Sequence, residues 1–290
     1  MAVLQLFSDV HLEFLSPFAR GQYLETLDAT GVDIAVLAGD ICLESMLEET
    51  LRTFCAVYPK VVFVPGNHEY YKSSPEKVTA TLVRLDRELD NLTWLDSKRV
   101  RVADLWFVGG TLWFPFPKDK PTQDAAARMN DYHVIKDFQP WVYEENLRCQ
   151  AVLNACLKPN NSSMPGADVV VTHHMPAHAC VSPRYRGSLL NHFFTCDQTE
   201  LIEKSGVPLW VFGHTHTTHD LYIGKTRLVA NPKGYPHESM PELRYNPRLL
   251  IDVQPSASPI ALRGMHSDSG LEDTPPTEPS PTPQGSTDGF

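Results

Sequence analysis

The chain is short of positive charge. Twenty-five Lys and Arg face thirty-five Asp and Glu, a formal charge of −10 over 290 residues. Such a field repels polyanions, which argues against a non-specific nucleic-acid or membrane-surface binder. It does not exclude a phosphate substrate, because a bound metal can reverse the field inside one pocket. Long apolar runs are missing too. The run Asp33-Ile-Ala-Val-Leu-Ala is far too short to span a bilayer. The stretch Met1-Ala-Val-Leu-Gln-Leu-Phe lacks the charged start and cleavage site of an export signal. The six cysteines, at 42, 55, 149, 156, 180 and 196, form no CxxC pair and no regular framework. They are expected to be reduced thiols in a cytoplasmic protein. No P-loop, no G-x-G-x-x-G and no Ser-His-Asp arrangement stands out.

What remains is ordinary globular material, 42% hydrophobic and 21% charged. Its clearest break is at the end. From Pro255 to Phe290 the chain is mostly Pro, Ser, Thr, Gly and acids. That stretch has too little apolar surface to offset the entropy of ordering, so it is expected to be a disordered tail. Residues 1–254 read as one domain, without an internal repeat.

Inside that domain, short apolar runs each end in a polar cluster. Val3-Leu-Gln-Leu-Phe runs into Ser8-Asp-Val-His, and Ile34-Ala-Val-Leu-Ala into Gly39-Asp. Val61-Val-Phe-Val runs into Pro65-Gly-Asn-His-Glu, Val169-Val-Val into Thr172-His-His, and Leu209-Trp-Val-Phe into Gly213-His-Thr-His. Such runs suit strands buried on both faces. Leu105–Val108, Thr226–Ala230 and Leu249–Val253 are further strand candidates. Pro75 to Leu89 carries Val78, Leu82, Leu85 and Leu89 on one helical face, with Ser73 or Ser74 as a cap. Val142 to Leu157 is a second amphipathic segment. Strands alternating with helices predict an α/β layered fold, whose ligands bind beyond the carboxyl ends of the strands.

The residues at those ends are Asp9, His11, Asp40, Asn67, His68, His173, His214 and His216. They offer oxygen and imidazole donors and no thiolate. That set suits divalent Mn, Fe, Zn, Ni or Mg. If the strand ends stay extended, positions i and i+2 point to one side, so Asp9/His11 and His214/His216 would each face one ion. Glycines 39, 66 and 213 would allow close backbone approach.

The series D-x-H, G-D, G-N-H-E, H and G-H-x-H, over residues 9 to 216, resembles the calcineurin-like metallophosphoesterase superfamily. Gly109-Gly-Thr-Leu-Trp, Met129-Asn-Asp-Tyr, Ser182-Pro-Arg-Tyr and Asn231-Pro-Lys-Gly-Tyr also resemble a group of small bacterial members. The resemblance implies a four-layer sandwich, two mixed β-sheets flanked by helices, with a dinuclear metal site at the strand ends. It implies one metal on Asp9, His11, Asp40 and His216, and a second on Asp40, Asn67, His173 and His214. His174 is the alternative to His173. His68 would assist the leaving group, after attack on phosphorus by a water or hydroxide held between the cations. Arg184, Tyr185 and Asn130 are candidate substrate contacts, and Asp131, Tyr132, Asn191 and His192 candidate pocket walls. Glu69 would orient a ligand. The Trp113-Phe-Pro-Phe-Pro stretch is either a lid or a surface loop.

Family members act on monoesters, diesters, nucleic acids and pyrophosphates, so the fold does not name the substrate. Protein phosphatases of the family resemble G-D-x-H-G and G-D-x-x-D-R-G. Here Ser8-Asp-Val-His-Leu and Gly39-Asp-Ile-Cys-Leu-Glu-Ser lack the Arg that grips a phosphoprotein. The expectation is a cytoplasmic hydrolase of a small phosphodiester, with a phosphomonoesterase or a catalytically dead metal-binding scaffold as alternatives. No membrane or nucleic-acid partner is expected.

Overall fold

The structure is a computed structural model, and it describes residues 1–157 and 166–256. Apart from residues 255 and 256, the tail expected to be disordered lies outside them. Two sheets carry the fold. The first has β1 (Ala2–Phe7), β2 (Ile34–Ala38), β3 (Val61–Val64) and β4 (Leu92–Trp94) in parallel, with β11 (Leu250–Val253) antiparallel on the outer side of β1. The second runs in the order β5 (Lys98–Val102), β6 (Leu105–Gly110), β7 (Val169–Thr172), β8 (Leu209–Phe212), β10 (Thr226–Ala230), β9 (His219–Ile223). Its four middle strands are parallel and its two edges antiparallel.

Alternation along each strand divides the core. Leu4, Leu6, Ile34, Val36, Val62 and Val64 face Val169, Val171, Leu209, Val211 and Val229 between the sheets. The intervening residues face outward. Phe7, Leu37 and Phe63 pack under α2 (Glu44–Val57) and α3 (Pro75–Glu88). Val170, Trp210 and Phe212 pack under α6 (Trp141–Leu157) and α7 (Thr199–Ser205). Strands covered on both faces are therefore continuously apolar, which is why they were readable as runs. Ser74 caps α3, accepting a hydrogen bond from Lys77 N at 3.3 Å.

The long β6–α6 connection holds α4 (Lys120–Ala126) and α5 (Asp131–Val134); α1 (Pro17–Glu25) follows the first strand-end loop. In the stretch expected to be a lid or a surface loop, Trp113 and Phe114 belong to the core while Phe116 is exposed. The first two are fully buried, and Trp113 packs edge-on against Tyr70, Phe138 and Trp141. Aromatics of this size bury when a core has room, and here they anchor the connection that walls the site. The basic group Lys98, Arg99 and Arg101 lies on the edge strand β5. Lys98 pairs with Asp86 at 3.4 Å and Arg101 with Asp104 at 3.1 Å, while Arg99 lies over the Trp106 ring.

Candidate metal centre

Five strands end at one place. β1, β2 and β3 deliver Asp9, His11, Asp40, Asn67 and His68; β7 and β8 deliver His173, His214 and His216. The two groups Asp9, His11, His216 and Asp40, His173, His214 each bring their donor atoms within 4.8 Å of one another. Asp40 also joins His11 and His68 in a third group, so it stands between the other two.

The extended-strand argument for the paired positions is corrected. The residues lie past the strand ends, and the backbone there is left-handed. Asp9, His11, Asp40, His214 and His216 have φ of 48°, 52°, 55°, 65° and 46°. Few non-glycine residues adopt this conformation, and each instance costs about 1–2 kcal/mol. Within each sheet the loops of neighbouring strands are tied by main-chain bonds: Asp9 N to Gly39 O (3.0 Å), His11 N to Asp40 O (3.0 Å) and Gly213 N to His173 O (2.9 Å). Gly39 has φ of 83°, and a Cβ there would strike the His173 ring. A Cβ on Gly66 would strike the Asp40 carboxylate.

The donor set fits a divalent cation. Asp9 Oδ2 and His214 Nε2 are buried, and neither has a hydrogen-bond partner. Orphaned polar atoms of this kind are costly unless something binds them. His11 Nε2 and His216 Nε2 stand 3.0 Å apart, and Asn67 Oδ1 and Asp40 Oδ1 lie 3.2 and 3.4 Å from His173 Nε2. His173 reaches this group. His174 turns Nδ1 toward Thr111 O at 3.3 Å; its buried Nε2 has no hydrogen-bond partner either, and its ring lies 4.3 Å from that of His214.

Carboxylates hold the imidazoles from behind, as metal-binding histidines require. Glu13 Oε1 accepts from His11 Nδ1 (3.1 Å) and His68 Nδ1 (2.8 Å). Glu238 Oε2 accepts from His216 Nδ1 at 2.6 Å. Asp131 Oδ1 accepts from Asn67 Nδ2 (3.0 Å) and Tyr71 Oη (2.7 Å), which turns Asn67 Oδ1 toward His173. Glu69 is buried and gathers four backbone N–H groups, from Asp40, Ile41, Cys42 and Gly66.

Charge divides the histidines. Burial, aided by His174 and His173, holds His214 well below its ordinary value, and burial also lowers His11. Burial opposes the charged form of His173 and His68 as well. At His173 the Asp40 carboxylate outweighs it and lifts the ring to about 9. At His68 Asp40 and Glu13 together do the same, again to about 9. Burial and Asp40 push the Glu69 carboxyl up to about 7.

A cavity of about 390 Å³ opens beside the centre. Asp40, Asn67, His68, His214, His216, Tyr71 and Tyr235 line it, together with the apolar side chains of Met129, Met175, Leu190, Phe194 and Met240. Asn130, Asp131, Tyr185 and Asn191 also line it. Arg184 does not. Its guanidinium lies over the Tyr185 ring and turns to Met240 Sδ, two residues that do line the cavity. The Arg that reaches the cavity is Arg128. Tyr132 bonds Tyr143 and His192 bonds Pro115 O, so neither is a wall of this cavity. Sequence reasoning missed Glu13, Tyr235, Glu238 and Arg128. Glu13, at the same alternate spacing as Asp9 and His11, left a sequence signal, and so did Tyr235, which ends the Asn231-Pro-Lys-Gly-Tyr motif without having been given a role.

Five strand ends, an oxygen-and-imidazole donor set and an adjoining cavity define a metal-dependent hydrolase fold of the phosphoesterase type. The model of the family described as "Calcineurin-like phosphoesterase" matches residues 5–218, and the chain belongs to that family. An uncharacterized protein, L509, of Acanthamoeba polyphaga mimivirus is 26% identical over 285 residues, covering 87% of this chain and 97% of that one. Among solved structures, a phosphopantetheinyl hydrolase from Mycobacterium tuberculosis shares the fold at a TM-score of 0.62 and 18% identity. The match covers 81% of this chain and 90% of that one. A dimetal phosphatase from Danio rerio matches at a TM-score of 0.47 and 14% identity, over 81% of this chain and 88% of that one. The family acts on phosphoesters with divalent metals. No helix among the described residues is long and apolar enough to cross a membrane.

Proposed function

We propose that the protein hydrolyses a small phosphodiester on a dinuclear centre. The observation that supports this reading is the convergence of Asp9, His11, His216 and of Asp40, His173, His214 in two donor groups at the strand ends, with Asp9 Oδ2 and His214 Nε2 among the buried atoms that have no hydrogen-bond partner. One ion would take Asp9, His11, Asp40 and His216. The other would take Asp40, Asn67, His173 and His214, with Asp40 shared. When bound, the ions supply positive charge to phosphate oxygens and lower the pKa of water.

The remaining work falls to the chain. Asp131 and Glu238 keep Asn67 and His216 turned to the phosphate end of the cavity. His68 Nε2 meets the departing oxygen and hydrogen-bonds it as negative charge grows there. The apolar walls exclude water from the rest of the substrate. A diester is preferred over a monoester on charge. Arg128 is the only Lys or Arg among the cavity's described lining residues, and Asp131 and Glu238 are acidic. A monoester's second negative charge would find little beyond the metals to hold it.

Metal-stripped protein should regain turnover of bis(p-nitrophenyl) phosphate when Mn, Ni, Zn, Fe or Mg is restored. It should act on p-nitrophenyl phosphate more slowly. Turnover of the monoester alone would make it a phosphatase. No turnover in folded, metal-loaded protein would favour the scaffold reading. His68→Ala should keep its metal and lose most turnover; loss of the metal would make His68 a ligand.

A further inference from the structure

The surroundings of His68 narrow the chemical class of the substrate. Its ring is held on three sides. Nδ1 lies 2.8 Å from Glu13 Oε1, the Tyr71 ring stacks on it at 4.2 Å, and Nε2 lies 3.2 Å from Tyr235 Oη. An ionised carboxylate only accepts hydrogen bonds, so Nδ1 keeps its hydrogen and Nε2 is the working end. Tyr235 is fixed as firmly. Lys233 N and Gly234 N bond the carbonyls of Ser8 and Asp9 at 3.1 and 2.9 Å, and Tyr235 N bonds Glu238 Oε2 at 2.8 Å. Its ring packs 4.4 Å from His11 and 4.6 Å from His216. Tyr235 and His68 both line the cavity.

We propose that Tyr235 is a further catalytic residue and Glu13 a positioning residue for His68, and that the substrate releases a poor leaving group, the alkoxide of an ordinary alcohol. This inference rests on the phosphodiesterase reading above. Two donors side by side serve an oxygen on which charge develops. A phosphoanhydride expels phosphate, which is stable as an anion and gains little from them. An alkoxide needs a proton before it can depart. In the step, a water oxygen forms the new bond to phosphorus as the bond to the alcohol oxygen breaks. The alcohol oxygen keeps the bonding pair and takes a proton at His68 Nε2, while Tyr235 Oη–H donates to the same oxygen. The attacking water's proton restores the donor, so the turnover consumes one water and yields an alcohol and a phosphomonoester. The cavity walls, Met129, Met175, Phe194 and Met240, suit an alcohol portion that is largely uncharged.

The test varies the leaving group on manganese-loaded protein. Bis(p-nitrophenyl) phosphate has a good leaving group and diphenyl phosphate a poorer one; ADP is the anhydride. Tyr235→Phe and Glu13→Gln should each slow diphenyl phosphate by about 100-fold or more, the usual scale of acid catalysis, and bis(p-nitrophenyl) phosphate by under about tenfold. Equal losses on both diesters would make the residues structural and overturn the assignment. Metal content and melting temperature are measured on each variant. Loss of metal from Glu13→Gln would mean that Glu13 serves His11 instead. Faster wild-type turnover of ADP than of diphenyl phosphate would overturn the substrate class. Failure of wild type on all three would instead refute the hydrolase reading, and this inference with it.

Discussion

Glu69 makes the sharpest test of how the centre is held. Its side chain is buried between the β2 and β3 loops. Oε1 accepts from Ile41 N (2.8 Å) and Cys42 N (3.3 Å), and Oε2 from Asp40 N (3.0 Å) and Gly66 N (2.6 Å). Glu69→Gln keeps the shape and removes one acceptor. Whichever way the amide turns, its NH₂ faces two of the four backbone N–H groups. A buried donor left without an acceptor costs about 1–3 kcal/mol. Two of them give a loss of about 2–6 kcal/mol, a large part of a domain's stability. At about 2–4 °C per kcal/mol, the melting temperature of metal-free protein should fall by roughly 5–20 °C. The urea midpoint should fall with the slope unchanged. Metal affinity should drop as well, because Asp40 and Asn67 stand on the two loops joined here. A fall of less than about 2 °C would refute the argument, since the four N–H groups would then have found other acceptors.

Three further outcomes follow from the same geometry. Asp131→Ala frees the Asn67 amide to turn, and should weaken metal binding by about 10–100-fold in a calorimetric titration, with little loss of secondary structure. Metal binding should release about one to two protons at pH 7, because His173 titrates near 9 and Glu238 raises His216, and both must be neutral to ligate. The release should shrink as pH rises through 9, which calorimetry in buffers of different ionisation heat would show. Ser74→Ala should cost about 1 kcal/mol of stability in urea unfolding and leave metal binding untouched, since it caps α3 away from the site.

The strands were legible because they are buried on both faces. Ile34–Ala38, Val61–Val64 and Leu209–Phe212 begin and end where their apolar runs do. The cluster at their ends was legible because each ligand follows such a run directly. The supporting residues carry no such mark. Glu238 and Tyr235 come from an irregular loop after β10, and Asp131 from the four-residue helix α5. Their partners His216, His68 and Asn67 are distant in sequence, and only the fold brings them together. Arg184 and Arg128 look equivalent as letters. Which one reaches the cavity depends on how two loops pack. The helices α1, α2, α4, α5 and α7 also went unread; α1 buries no residue and offers no face to read, whereas α2 shows one in Leu47, Leu51 and Phe54.

The left-handed backbone at Asp9, His11, Asp40, His214 and His216 bears on how the centre is loaded. Five such residues store on the order of 5 kcal/mol or more. Sheet pairing and the main-chain bonds between neighbouring loops hold that shape. The frame presents oxygen and imidazole donors that suit several divalent ions. It would take whichever fitting cation its surroundings provide, so its working metal would be set by supply more than by sequence.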